Sequence, residues 1–247
     1  MHIQLDALVQ PAQLDTPRRF LLSSQVEIAL YHTTHPQVPS PSSSGYLPRI
    51  RSMRKQIAAA IPCKAIQWLR QVHGNQVVAA STAQHIPNAD ASFISHTGVA
   101  CAVLTADCLP IVIYSKTQPW AACVHAGWRG LAQNIISATC QHYPGPIKDL
   151  AAWIGPHICS NCYQVDSKFQ ARFVELDQGN SKFFTENDGY ITADLSGIAH
   201  NQLYALGFTT NRVSHANICT HHNQSLPSYR RDNYLTGRIV TLVWIND

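Results

Sequence analysis

Charge is scarce in this chain. Only 13% of its 247 residues are charged, 18 basic against 14 acidic, so the formal charge of +4 surrounds the protein with no strong field. A nucleic-acid footprint needs Lys and Arg gathered on one face, and the one dense patch, Arg49, Arg51, Arg54 and Lys55, reads as a solvated helix face. No apolar run approaches the roughly 18 residues that cross a bilayer, and Met1 to Asp15 lacks the basic-then-apolar pattern of a secretion signal. A cytoplasmic protein with no nucleic-acid and no membrane partner is the expectation. Internal repeats and a clear domain boundary are also missing, so residues 1–247 are read as a single domain, a monomer or homodimer.

What is present is enough apolar material for a large core, 45% of residues, and an unusual stock of His and Cys. The eight cysteines, without an export signal, are expected to be reduced thiols. Cys101, Cys123 and Cys140 lie in apolar stretches and read as small buried hydrophobes. Thirteen histidines leave some imidazoles free for chemistry.

Val26 to Tyr31 alternates as a strand does, and the Pro- and Ser-rich stretch 36–48 after it is expected to be an irregular loop. Arg51 to Ile61 predicts a short helix ended by Pro62, and Ala65 to Val72 an extended segment that puts His73 at a strand end. Val99 to Leu104, Ile111 to Tyr114 and Trp120 to Val124 are apolar runs that predict three strands at the core of a sheet. Gly127 to Gly130 predicts a strand-to-helix turn, with Leu131, Ile135 and Ile136 at helical spacing and free backbone N–H groups where an anion can dock. Ala151 to Ile154 predicts a strand, Asp166 to Leu176 an Asp-capped helix, Asp194 to Leu206 a helix stopped by Gly207, and Arg238 to Ile245 a buried strand.

Polar groups interrupt the apolar runs at Asp107-Cys108 and at His125, the places where sites are built. A catalytic zinc needs about three protein ligands and an open position, which His73, Cys108 and His125 supply if the fold gathers them. Their spacings, 35 and then 17 residues, are too long for a finger or ribbon, so spacing alone leaves the trio a candidate. The same residues also make a Cys–His dyad, Cys108 as nucleophile and His125 as base. Asp107 is either a general base, an orienting group or only a cap on the following turn. Arg129, between Gly127 and Gly130, is a candidate phosphate ligand through its planar fork, and Arg230, beside Arg231, and Arg238 repeat that theme. Cys159 and Cys162 form a lone C-x-x-C, either redox-active or metal-binding. A metal site on Cys219 with His221-His222 is disfavoured, because neighbouring residues on a strand point to opposite sides.

Several segments, taken together and in order, resemble the YfiH-like family, long labelled multicopper polyphenol oxidoreductase or laccase domain: QVHG at 71–74, ADAS at 89–92, TADCLPI at 105–111, VHAGWRGL at 124–131, WIGPHI at 153–158, ADL at 193–195, SYRRD at 228–232 and TGR at 236–238. The resemblance runs from about Ile50 to the C-terminus. It implies an α+β, four-layer α/β/β/α sandwich with mixed sheets, similar to the catalytic domain of cytotoxic necrotizing factor toxins. It implies Zn2+ on His73, Cys108 and His125; beside that trio, the reading of the residues adds Asp107 to the catalytic candidates and directs Arg54, Arg129, Arg230 and Arg238 toward substrate or phosphate. It also implies phosphorolysis of adenosine, inosine, guanosine and methylthioadenosine, with adenosine deamination as a side activity. Cu2+ is the alternative ion, but the oxidation of phenols behind the family label uses His in tight H-x-H clusters, and no H-x-H occurs in this chain. The chain departs from the family pattern at Thr33 to Gln37, at Met53-Arg54 and at Leu226-Pro227.

Three functions from different classes therefore compete: a zinc-dependent purine nucleoside phosphorylase, a Cys108–His125 amide hydrolase acting on cell-wall precursors, and a metal-binding protein without turnover.

Overall fold

The computed structural model describes residues 18–32, 46–83, 85–233 and 237–247. A hairpin, β1 (Arg18–Leu21) and β2 (Val26–His32), is followed by helix α1 (Tyr46–Ala60) and the short strands β3 (Ala65–Gln67), β4 (Val77–Ala79) and β5 (Ala91–Ile94). Three long strands come next, β6 (Val99–Thr105), β7 (Leu109–Ser115) and β8 (Ala121–Ala126). Short helices α2 (Trp128–Ala132) and α3 (Ile135–Cys140) lead to β9 (Leu150–Ile154), β10 (Gln164–Val165) and helix α4 (Ser167–Leu176). The rest is β11 (Phe184–Asn187), β12 (Tyr190–Ala193), α5 (Leu195–Ala205), β13 (Val213–His215), α6 (Tyr229–Asp232) and β14 (Ile239–Ile245).

The strands form a five-stranded sheet ordered β1-β2-β14-β6-β3, a six-stranded sheet ordered β13-β9-β7-β8-β5-β4 and a small antiparallel sheet β10-β12-β11. Both large sheets are mixed, since β3 runs parallel to β6, β4 parallel to β5 and β13 parallel to β9, while the other pairs are antiparallel.

Side-chain alternation on β7 and β8 shows how the layers stack. Val112, Tyr114, Ala121 and Cys123 join the core shared with Ile28, Cys101, Leu242 and Trp244 of the five-stranded sheet, and Ile57 of α1 packs on that same core. Ile111, Ile113, Ala122 and Val124 point the other way, onto Leu131, Ile135, Ile136 and Ile198 of the helices. Strands with an apolar residue at every position are thus buried on both faces, and the layers run helix, sheet, sheet, helix: the expected α/β/β/α sandwich.

Two expectations need correction. The three apolar runs at 99–124 do not share one sheet: β6 lies in the five-stranded sheet, and β7 and β8 in the other. The chain crosses between layers at Ala106 to Cys108, a turn short enough that Asp107 takes a left-handed φ of 89°. Helix α1 also starts at Tyr46, ahead of the expected Arg51, and so takes in Pro48. Proline is tolerated there because first-turn N–H groups have no intrahelical partner. The remainder of the Pro/Ser-rich segment, 36–45, lies outside the described residues. The two Asp-capped helices form as expected, with Asp166 accepting from the Phe169 amide at 2.7 Å, Asp194 from the Gly197 amide at 2.8 Å, and Gly207 closing α5 at a φ of 98°.

Trp153 is fully buried between the two sheets and meets Phe20 edge-on at 5.7 Å. Trp153→Ala is expected to cost about 3–5 kcal/mol, the sum of lost transfer energy and an unfilled cavity. Denaturant unfolding checks it, and a midpoint unchanged from the parent would show that the sheets do not depend on this contact.

Candidate metal centre

The site forms where the ends of β6, β7 and β8 meet the loop after β3. The extended reading of 65–72 holds only to Gln67; beyond it the chain touches the 87–89 segment through Arg70 and turns at His73, whose φ is 59°. His73 therefore sits on a left-handed loop rather than at a strand end. Cys108 follows the crossover turn and His125 lies in β8, and the ligand atoms of His73, Cys108 and His125 all come within 4.8 Å of one another. The two imidazoles meet edge to face, 4.7 Å between centroids. Gly127 leaves room for this: a Cβ there would stand 3.1 Å from both Cys108 Sγ and His73 Cδ2.

Asp90, which sequence reasoning passed over, organises the cluster. Its side chain is completely buried and accepts the backbone N–H groups of Val72, His73 and Gly74 at 3.2, 2.9 and 2.7 Å. It also accepts Nδ1–H of His125 at 2.7 Å, while the His125 amide donates to the Asp90 carbonyl at 2.7 Å. One carboxylate thus holds the loop that carries one imidazole and fixes the tautomer of another, leaving His125 Nε2 to face Cys108. In the sequence it shows as the aspartate of the ADAS segment at 89–92, which was given no role, set between two alanines entering a buried strand where an unpaired charge would be costly.

Burial by itself would push the Cys108 thiol up and the His125 imidazolium down. The pair overrides this: His125 and His73 draw Cys108 down to about 6, and Cys108 with Asp90 raises His125 to about 9. Asp90 is held below the usual carboxylate range despite its burial, because His125 and the amides of Gly74 and Val72 favour its charged form. A thiolate and two imidazoles converging on one point, with a carboxylate behind one of them, are the donor set of a borderline-soft divalent ion such as zinc, and the residues present fit it.

Asp107 is engaged elsewhere. Its carboxylate accepts Thr220 Oγ1–H and the Arg230 backbone N–H, each at 2.6 Å, and its carbonyl accepts the Ile158 amide. Both carboxylate oxygens are used in tying the crossover turn to the segment at 220–230, so of the readings open for Asp107 the geometry favours a positioning group over a general base.

The arginines divide. Arg129 is exposed and lies 4.4 Å over the Trp128 ring. Arg230 stacks on Tyr163 at 4.9 Å and donates to the Gln164 carbonyl. Both lie within electrostatic reach of the Tyr163 hydroxyl, as do Cys108 and Asp107; burial and the Cys108 charge push that hydroxyl up to about 12, with Arg230 and Arg129 pulling against them. Tyr163 is thus a second residue that sequence reasoning missed. Arg238 precedes β14, whose first residue, Ile239, pairs with Thr105, so it stands at the same sheet end as the crossover turn. Arg54 stacks on Trp68 at 4.7 Å, against the core of the five-stranded sheet. Arg231 is structural, donating to the carbonyls of Thr220, His221, Asn223 and Leu226 and to Asp232.

The helix after Gly127 is also shorter than expected. It spans only Trp128–Ala132, and Asn134, with a φ of 58°, separates it from α3, so a single turn supplies little dipole for an anion. Any anion here depends on the guanidinium groups.

With this geometry established, comparison with known proteins decides the family. Residues 47–246 match the model described as multi-copper polyphenol oxidoreductase laccase. The chain belongs to this family. It is 32% identical over 200 residues to the protein named purine nucleoside phosphorylase YfiH of Escherichia coli, covering 79% of this chain and 81% of the relative. It is 35% identical over 201 residues to the protein named purine nucleoside phosphorylase PA4543 of Pseudomonas aeruginosa, covering 80% and 81%. Among solved structures, Neisseria meningitidis NMB0706 superposes with a TM-score of 0.82 at 28% identity over 91% of this chain and 96% of that one. Bacillus licheniformis YfiH, at 20% identity and a TM-score of 0.79 over 90% and 93%, shares the fold. No helix among the described residues is long and apolar enough to cross a membrane, and none of the eight cysteines is in a disulfide.

Asp90→Asn should weaken binding of a divalent ion to the trio, with zinc as the probe, about 10–100-fold, because an amide must turn a donor toward either His125 Nδ1–H or the loop amides. Competition against a chelator measures it, and an affinity equal to the parent's would remove Asp90 from the metal site.

Proposed function

We propose that this protein is a zinc-dependent purine nucleoside phosphorylase. It takes adenosine, inosine, guanosine or methylthioadenosine with phosphate to the free base and the sugar 1-phosphate, and deaminates adenosine as a side activity. The observation that carries this reading is the convergence of one three-ligand cluster, His73, Cys108 and His125, with Arg129, Arg230 and Tyr163 around it. The names of the relatives support the reaction class. Among the described residues, a trio with one thiolate and no further histidine cluster beside it matches a mononuclear zinc site better than the several coppers of a phenol oxidase.

His73, Cys108 and His125 would hold the zinc ion, which when bound would supply Lewis acidity. The chain's own groups do the rest. Phosphorolysis forms a bond from phosphate oxygen to C1′ as the N-glycosidic bond breaks and the base leaves with a proton. Arg129 and Arg230 neutralise and orient the phosphate through charge-assisted hydrogen bonds. Tyr163, protonated at neutral pH, keeps an O–H donor available beside them. Asp90 holds two of the ligands in register throughout, and Asp107 fixes the segment that presents Arg230.

One observation favours a second reading. Cys108, His125 and Asp90 are also ordered as thiolate, imidazole and carboxylate, the arrangement of a cysteine amide hydrolase. Incubating purified protein with adenosine and phosphate decides between them. Adenine with ribose 1-phosphate supports the phosphorylase, and an absence of both from metal-replete protein overturns it.

Cys108→Ala should lose most of the zinc held by the trio and nearly all turnover, since two imidazoles are too few fixed donors. Cys108→Ser should do similar damage; a serine variant that keeps its metal but loses activity would point to the nucleophile instead. Arg129→Lys keeps the charge but loses the fork, and is expected to weaken phosphate use by roughly 1–3 kcal/mol, tenfold or more. Deamination uses water and should fall much less. Phosphorolysis across phosphate concentrations and phosphate-free deamination, measured on one preparation, test it; equal loss of both would move the phosphate role to Arg230 or Arg238.

A further inference from the structure

Away from this site, a second set of donors converges that the proposed reaction does not use. Cys159, Cys162, Cys219 and His222 place one ligand atom each within 4.8 Å of all the others. Cys162 Sγ lies 3.1 Å from His222 Nε2, and Cys159 Sγ 3.9 Å from His222 Nδ1. From these contacts we infer that the chain carries a second, structural zinc ion, held by three thiolates and one imidazole in a closed tetrahedral site.

The local backbone explains how the donors meet. Residues on a strand would point apart, but after Cys219 the chain turns, with the Asn223 amide donating to the Cys219 carbonyl at 3.0 Å, and this brings His222 back over Cys219. On the other side the Cys162 amide donates to the Cys159 carbonyl at 3.1 Å, closing a 3-10 turn. Each turn thus offers two donors three residues apart, C-x-x-C and C-x-x-H, the spacing of a zinc knuckle. Two backbone bonds lock the turns together: the His157 amide donates to the Ile218 carbonyl at 3.1 Å, and the Thr220 amide to the His157 carbonyl at 3.0 Å.

Distance and ligand type both point to zinc. A tetrahedral ion with Zn–S of about 2.3 Å and Zn–N of about 2.0–2.1 Å sets its ligand atoms about 3.5–3.8 Å apart, the range these side chains bracket. Cys219 Sγ also accepts the Cys159 amide at 3.3 Å, and the amides of His221 and His222 face the same sulfur. Such N–H groups stabilise sulfur as an anion, the form that binds metal. The three cysteines are half-buried and His222 is exposed, so an ion can enter, displacing the thiol protons to solvent. Four protein ligands leave no open position, which makes the site structural rather than catalytic.

Its place in the fold gives it a task. The first turn runs directly into Tyr163, and the second opens the segment that carries Thr220, hydrogen-bonded to Asp107, and Arg230, stacked on Tyr163. An ion joining the turns clamps the two elements that furnish the arginine and the phenol of the candidate active site.

Metal content read separately at the two sites tests the inference independently of any activity. Protein purified under argon with a phosphine reductant and freed of loose ions on a chelating resin is expected to hold two zinc per chain by plasma mass spectrometry. Cys108→Ala is expected to keep one of them, and Cys108→Ala with both Cys162→Ser and His222→Leu, which leaves two of the four donors, none. Cobalt loaded into the Cys108→Ala protein should give the intense visible bands of a tetrahedral ion and a near-ultraviolet charge-transfer band from sulfur. Should His222→Leu fail to fold, His222→Cys, which restores four donors, is expected to fold and retain the ion. A Cys108→Ala protein that folds without zinc and gives no thiolate–cobalt band overturns the site, as does a disulfide among Cys159, Cys162 and Cys219 in the reduced preparation. Loss of phosphorolysis with both ions present would count only against the proposed reaction.

Discussion

A buried carboxylate with no exposed surface has to be satisfied, and the way Asp90 is satisfied determines the candidate metal centre. Its two oxygens receive three successive amides of the loop at 72–74 and one imidazole N–H. Each of those groups belongs to a segment that contributes a donor, so the charge that would otherwise oppose folding becomes the reason that His73 and His125 face one another. The left-handed turn at His73 persists because these hydrogen bonds over-determine it.

A second carboxylate acts in the same way one residue before Cys108. Asp107 receives Thr220 Oγ1–H and the Arg230 amide, so the turn that delivers the thiol is fastened to the segment that presents the guanidinium. Between Asp90 and Asp107, the donors and the surrounding cations are set by buried hydrogen bonds to charged acceptors. These are among the stronger contacts available to a protein and are costly to leave half-made.

The legible part of this architecture was the local part. Apolar runs with residues of both faces buried gave β6 to β9 and β14 close to their true bounds, and Asp caps marked α4 and α5, because strand burial and helix capping are written within a few residues. Which sheet each strand joins was not legible: β6 and β7 are separated by a three-residue turn yet lie in different layers, and nothing local distinguishes a hairpin from a crossover. The trio was only a candidate on its spacing and was singled out by the family resemblance; His73 reaches it from a left-handed loop rather than from a strand end. Asp90 escaped because a carboxylate in an alanine-rich run carries no periodic signal, and Tyr163 because its neighbours are distant in sequence. His222 was set aside on the assumption of an extended backbone, where the chain in fact turns.

The position of β14 has a consequence for how the molecule comes into being. It lies between β2 and β6, pairing with both along nearly its whole length. During synthesis the five-stranded sheet remains two separate pieces, each with an open edge, until these late residues emerge, and such edges invite pairing with other chains. The strand that closes the gap also backs the end of β6 from which the crossover departs. Assembly of the thiol-bearing turn therefore waits on a strand that follows β1 to β13 in chain order, and a chain lacking it has neither a continuous five-stranded sheet nor the backing that holds the crossover turn in place.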